Sequence, residues 1–557
     1  MTGNDERAPK IERRGEAIRL LTLLLLCAVL FFAFLGSRPL WNVNEGMHSA
    51  TSKEMILTGD WITPHHNGKP FYDKTVLHNW FVAISLMVLG FTEVAARLPA
   101  ALLALGTVLV TYWMGRRMFG KWAGFFGAVV LATSVMVVVL SQTIIHDSSL
   151  CFFVTLALAF FYRGYSAEDG GGKWFLFSCA SLGMALIAKG PVGLVLPAGV
   201  IFLFLAFRRD LRFLGKMQLH WGVPLGLLIG IPWFVAIGTQ NGDWLYEFVV
   251  RLHLGSFLGL ESVRINHPKP WYQYAPLLAG GFAPWSVFLP GAVWRAWQRR
   301  PEDVRGATAL LLVWAGVYIL FFSAATSKLA TYLLPCYPAL ALLVGRLWAE
   351  VATRDAPAAT ARRWLTWPIL VFAAIPIAIV VVLNGEDLPV ERLRDHYGVG
   401  LATALTPIAA LFVCLAAAAV LLWTGRVRPA FAAVAASITT CFVLLVLLII
   451  PSVNSVQSSR KLADEMDRRV PKGERLVHYH RDRDSMLFYT DRKIRVVRRA
   501  KALRKLLEAD RRVYVIISEP RYDKLEFDWP VIAKEGENLL ISNREDPTPR
   551  AGKIPGE

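Results

Sequence analysis

The chain has 557 residues, of which 55% are hydrophobic and 18% charged. That charge fraction is too low, and the apolar runs are too long, for a water-soluble protein of this size. The formal net charge of +18 does not point to nucleic acid, because the basic residues fall in short connections between apolar runs and in the C-terminal tail.

Residues 1–17 carry Arg7, Lys10, Arg13 and Arg14, which suits a basic cytoplasmic terminus. The apolar run 18–36 that follows is long for a signal peptide and lacks a small-x-small cleavage site, so it reads as an anchor. Further runs able to cross roughly 30 Å of hydrocarbon as helices lie at 98–115, 121–140, 147–164, 174–188, 190–207, 220–238, 275–295, 306–324, 329–348, 364–383, 401–424 and 429–451. The run 76–90 is marginal in length. If it crossed, the basic loops at Arg116–Arg117, Arg208–Arg209, Arg299–Arg300, Arg362–Arg363 and Arg426–Arg428 would all face outward. If it lies against the outer interface they all face inward, as the positive-inside rule requires, and about thirteen crossings result.

The expected fold is a polytopic α-helical membrane protein. The membrane domain spans 18–451, with non-cytoplasmic loops at 37–97 and 239–274. Residues 452–545 alternate short β-type and helix-type runs and read as a small α/β domain on the same, periplasmic side. The end, 546–557, has the composition of a disordered tail. All six cysteines lie inside apolar runs without CxxC spacing, as core residues do.

Polar residues without a topological role gather on the outer side, where ionisable groups at a membrane boundary are candidates for function. In "PLWNVNEGMHSATSKEM", Glu45, His48, Ser49 and Ser52 share one face of a helix. That face is either the polar side of an interfacial helix or the seat of a general base, Glu45. In "GDWITPHHNGKPFYDKTVLHNW" the pair Asp73–Lys74 stands out beside Tyr72. Lys74 either snorkels or binds a phosphate as a point charge. Asp147, after His146, starts a span, where a carboxylate also favours the helix dipole. The loop 239–274 adds Arg251, Arg264 and His267. Asp73 and His267 could share a divalent metal ion if their loops meet. In "SKLATYLLPCYP", Lys328 needs an anionic partner, either a lipid phosphate or an aspartate of the chain, and Tyr332 lies one turn further on.

The stretches "PLWNVNEGMHSATSKEMILTGDWITPHHNGKPFYDK", "ARLPAAL", "LIAKGPVGLVLP", "GGFAPW" and "SKLATYLLPCYPALALL" resemble the aminoarabinose transferases that modify lipid A. More widely they resemble the bacterial protein-mannosyltransferase-like glycosyltransferases of the GT-C fold. The likeness runs over about 37–350, with "SMLFYTDRKIRVV" a fainter match in the tail. It implies a sugar carried on polyprenyl phosphate and transferred, with inversion, to a lipid, glycan or protein acceptor at the periplasmic face of the inner membrane. It also implies Glu45 and Asp147 as the catalytic carboxylates, Glu45 taking any base role and Asp147 supporting it, and Lys74, Lys328 and Tyr332 on the donor phosphate. Asn44, His48, Tyr72, Arg251 and Arg264 would contact sugar or acceptor. Two departures stand out: Asn44 replaces the first acid of the family pair, and Met47–His48 replace an arginine–tyrosine. A carrier that moves the lipid-linked sugar without chemistry is the rival reading, but no repeat with mid-span breaks supports it.

Overall fold

The structure is a computed structural model that describes residues 7–42, 44–168, 171–255, 269–299, 303, 305–353, 362–371, 398–471, 473–480, 484–508, 510–525, 529–535 and 538–544. Among these residues, 8 helices are long and apolar enough to cross a membrane, or up to 10 if each of two bent pairs counts as one span. The expectation of about thirteen is therefore not met by the described residues. Most of the expected span 364–383 lies outside them. Pro191–Phe207 is apolar but short of the length of a span.

The two bent pairs have local causes. Lys121–Ala132 and Val135–Ser141 meet at 63°, where the hydroxyls of Thr133 and Ser134 donate back to the carbonyls of Val129 and Val130, a bond that bends helices. Trp271–Gly281 and Trp285–Arg299 meet at 113° around Pro284, which has no N–H to continue a helix. The segment 76–90 forms the helix Leu77–Leu89 of 13 residues, about 20 Å long at 1.5 Å per residue and too short to cross.

Behind the anchor, the helix Asn44–Thr58 is buried over most of its length. A hairpin follows, with β1 (His65–His66) antiparallel to β2 (Lys69–Pro70). Its turn is Asn67–Gly68, both with positive φ (54° and 75°), the residue pair that a tight hairpin turn prefers.

The C-terminal part folds around a five-stranded sheet in the order β4-β3-β5-β7-β6. Its strands are β3 (Arg475–Tyr479), β4 (Arg495–Val497), β5 (Val513–Ser518), β6 (Val531–Glu535) and β7 (Asn538–Ser542). β3 runs parallel to β4 and β5, and β7 antiparallel to β5 and β6. Sequence alone anticipates four of these strands and misses β6, whose exposed Val531 and charged end hide the alternation.

This sheet domain is fastened to the outer loop. Gly46 lies against the backbone of Ser485, where an added Cβ would come within 2.2 Å of the Ser485 nitrogen. Lys53 donates to the Phe488 carbonyl at 2.8 Å and pairs with Asp491 at 2.7 Å. Tyr489 accepts from the Leu40 amide at 2.7 Å and donates to Glu93 at 2.9 Å. Asn67 donates to the Ile494 carbonyl at 2.6 Å and accepts from its amide at 3.2 Å. The tail stretch "SMLFYTDRKIRVV" is thus the docking surface for the loop that holds the candidate site.

Candidate active site

Two clusters of charge lie behind this loop. In the first, Glu45 is 3% exposed and accepts five hydrogen bonds. Arg97 donates from Nε to Oε1 at 2.8 Å and from Nη2 to Oε2 at 3.0 Å. Arg38 donates from Nη1 to Oε2 at 2.5 Å and from Nη2 to Oε1 at 3.0 Å, and the Trp41 amide donates at 3.1 Å. Arg97, fully buried, spends its remaining donors on the carbonyls of Leu35, Arg38 and Pro39. Every guanidinium N–H of Arg97 is therefore satisfied. Burial alone would raise the Glu45 pKa, but the charges of Arg97 and Arg38 outweigh it and bring it down to about 2.

A carboxylate so saturated is a poor general base. Its lone pairs are occupied and its conjugate acid is too strong to hold a proton near neutral pH. This geometry argues against the base role expected of Glu45. The cluster instead braces the turn by which the chain leaves the membrane.

The second cluster is built from helix ends. Asp147 lies in the first turn of His146–Tyr165, and Lys189 is the last residue of Gly172–Lys189. Each charge sits where the helix dipole favours it. The Lys189 ammonium donates to Asp147 Oδ1 and lies 4.5 Å from the centre of the Tyr332 ring. Tyr332 in turn packs on Phe322 at 5.2 Å. Lys74 is half-buried and close enough to feel Lys189, Asp147 and Asp73. Burial and the Lys189 charge lower its pKa; the two aspartates oppose that shift. Two lysines, two aspartates and a tyrosine thus share one boundary region, Asp147 buried and Asp73 exposed, and its two ammonium groups can meet an anion.

Beside this cluster three buried imidazoles meet: His48 edge-on to His146 with ring centres 4.5 Å apart, and His146 tilted against His78 at 5.3 Å. His146 contacts the Thr75 carbonyl at 3.0 Å and His78 contacts Ser149 at 2.9 Å. Burial, helped by the charges of His78, Lys74 and His66, holds His48 well below its usual pKa. It is neutral near pH 7 and acts as packing against Phe71 and His146.

The other expected residues divide. Tyr72 donates to Asn241 at 2.9 Å, tying the loop to the end of Leu219–Gln240. Lys328 is buried, but its ammonium turns back to the Ala325 carbonyl, and it does not join the Asp147 cluster. Arg251 is exposed and pairs with Glu247 on its own helix at 2.9 Å. Asn44 and Asp73 are exposed. Arg264 and His267 lie outside the described residues. Among the described residues, no group of three or more His, Cys, Asp and Glu side chains could hold a metal ion.

Sequence reasoning singled out neither Lys189 nor Arg97. Both stood inside landmark stretches, "LIAKGP" and "ARLPAAL", and both are lone cations flanked by apolar runs. Span parity places Lys189 at an outer turn, which was the available signal.

Residues 73–235 match the family model described as dolichyl-phosphate-mannose-protein mannosyltransferase. The structure superposes on the crystal structure of ArnT from Cupriavidus metallidurans bound to undecaprenyl phosphate with a TM-score of 0.80, covering 94% of this chain and 98% of that one at 22% identity. The chain has the GT-C membrane fold. Undecaprenyl phosphate-alpha-4-amino-4-deoxy-L-arabinose arabinosyl transferases are similar in sequence. That of Pseudomonas fluorescens is 31% identical over 330 residues, 58% of this chain and 59% of the relative. That of Erwinia tasmaniensis is 30% identical over 366 residues, 64% of each. The match thus spans less than two thirds of these relatives' length. The resemblance read from the sequence stands, and the chain is a multi-span membrane protein.

Proposed function

We propose that this protein is a glycosyltransferase of the bacterial inner membrane. It moves a sugar from a polyprenyl-phosphate carrier to an envelope acceptor at the periplasmic face, with inversion. The observation that carries the reading is the meeting of Asp147, Lys189, Lys74 and Tyr332 at helix ends on one side of the bundle. The arabinosyl transferases similar in sequence and the undecaprenyl phosphate bound in the structural relative support the donor class.

In this reading Lys74 and Lys189 face the donor phosphate. The acceptor oxygen forms its bond to the anomeric carbon as the bond from that carbon to the phosphate oxygen breaks. The carrier leaves as a phosphomonoester with one more negative charge, and the two ammonium groups stabilise that charge as it develops. Lys189 exchanges its contact with Asp147 for the phosphate. Asp147 is then free to orient the sugar, or to take the proton if the acceptor is a hydroxyl. A phosphate acceptor, as lipid A would offer, needs no base. Lys328 and Tyr332 would close the carrier's path, with Tyr332 packing beneath Lys189.

The test uses purified protein, a synthetic polyprenyl-phosphate sugar and an acceptor extract. Acceptor-dependent release of polyprenyl phosphate is the expected result. Movement of intact donor across a proteoliposome without cleavage would establish the carrier instead.

A further inference from the structure

A cavity of about 1100 Å³ lies between the 65–70 hairpin and the edge of the C-terminal sheet. Five of the side chains lining it are Lys69, Arg475, Lys493, Arg495 and Arg499. All five are exposed, and none has a hydrogen-bonded or ion-pair partner among the described residues. Other basic side chains of the same domain do find acidic partners, among them Arg469 with Glu465 at 2.5 Å, Arg492 with Asp467 at 3.1 Å, Lys534 with Glu519 at 2.6 Å and Arg544 with Asp510 at 2.8 Å. The cavity's two acids do not balance it, since Asp484 is already held by His66 at 2.9 Å, leaving Glu474.

Strand register explains the convergence. Val477 pairs with Arg495 in the parallel ladder, so Arg475, two residues back, projects from the same face. The two arginines lie about 8 Å apart diagonally across neighbouring strands. Lys493 closes the other side, its ammonium set over the hairpin turn, where a Cβ on Gly68 would meet it at 3.3 Å. Charged edge strands often serve only to deter strand addition. That role does not call for a cation from a separate element, yet Lys69 of the hairpin lines the same concave space.

We propose that this cavity binds the phosphorylated saccharide head of the acceptor. The inference rests on the glycosyl-transfer reading above. Two dimensions favour a saccharide over a lone phosphate. The volume slightly exceeds the usual range of about 300–1,000 Å³ for small-molecule sites. Lys69 also precedes Lys74 by five residues, so at most about 18 Å of chain separates the cavity from the transfer site. A head with anionic groups at both ends of a disaccharide lies along that path. The cavity walls focus the field of the five cations on such a ligand.

The experiment uses full-length protein in detergent and three probes: a glucosamine disaccharide bearing two phosphates, the same disaccharide without them, and inorganic phosphate. Titration calorimetry should show the bisphosphorylated probe binding, with affinity falling as salt rises, and the neutral one not. K493E combined with R495E should weaken binding about tenfold or more and raise the acceptor KM, with donor KM and kcat unchanged. K493R with R495K should keep it. Equal binding of the neutral sugar, equal binding of inorganic phosphate, or wild-type affinity in K493E/R495E would each overturn the proposal. Binding of the bisphosphorylated probe by a protein that never cleaves the donor would uphold the pocket and sink the transfer reading. Cleavage without such binding would do the reverse.

Discussion

Glu45 and Asp147 are both buried carboxylates held by basic side chains, on elements that touch through His48 and His146. Glu45 has two arginines and a backbone amide, in a network where Arg97 is also fully satisfied. Asp147 has one lysine, 18% exposed at its side chain, next to a second lysine and an aromatic ring. A planar, always-charged guanidinium locks a carboxylate bidentately, whereas a lysine is a mobile point charge that can change partners. The saturated cluster is suited to hold a fold, and the unsaturated one to meet a substrate. Charge and burial alone do not separate these roles; the number and type of partners do.

Four measurements can break that distinction, in falling order of effect. Arg97→Ala leaves Glu45 buried with three of its five donors, and should cost about 3–5 kcal/mol of stability, seen as lost folded yield and a lower melting midpoint in detergent. Asp147→Asn should lower turnover about 10²–10³-fold while the midpoint stays near wild type. A catalytically intact Asp147→Asn would move the chemistry elsewhere.

The third concerns pH. The folded pKa of Glu45 is about 2 against an ordinary 4.5, so its contribution to stability is present above pH 4.5 and is lost as pH falls toward 2. The difference corresponds to about 3 kcal/mol. Wild type should lose melting temperature across that window, and Glu45→Gln should be less stable at pH 7 but flatter in acid, with turnover per folded molecule retained. Abolished turnover at an unchanged midpoint in Glu45→Gln would invert the comparison. The smallest effect is expected of Arg251→Ala, whose exposed pair with Glu247 contributes less than about 0.5 kcal/mol; a large rise in KM there would restore it to the substrate site.

Much of the architecture was legible before any coordinates. The short helix Leu77–Leu89 and four of five strands follow from run length and alternation. Lys74, Asp147 and Tyr332 were singled out from their positions and do come together. Lys328 looked equivalent to Lys74 in sequence, yet its ammonium caps a carbonyl three residues back. Lys189, which the sequence reading did not single out, proves to be the partner of Asp147.

Apolar runs, their lengths and the sidedness of the basic loops are properties of neighbouring residues, and the sequence by itself determined them: a multi-span chain with polar loops sorted to one face. Tertiary structure decided which charges meet. Glu45 and Arg97 are 52 positions apart and Asp147 and Lys189 are 42 apart, and whether such pairs touch depends on how whole helices pack. One carboxylate became a brace and the other a candidate catalytic group because a buried charge takes its character from the donors that the fold brings within about 3 Å of it.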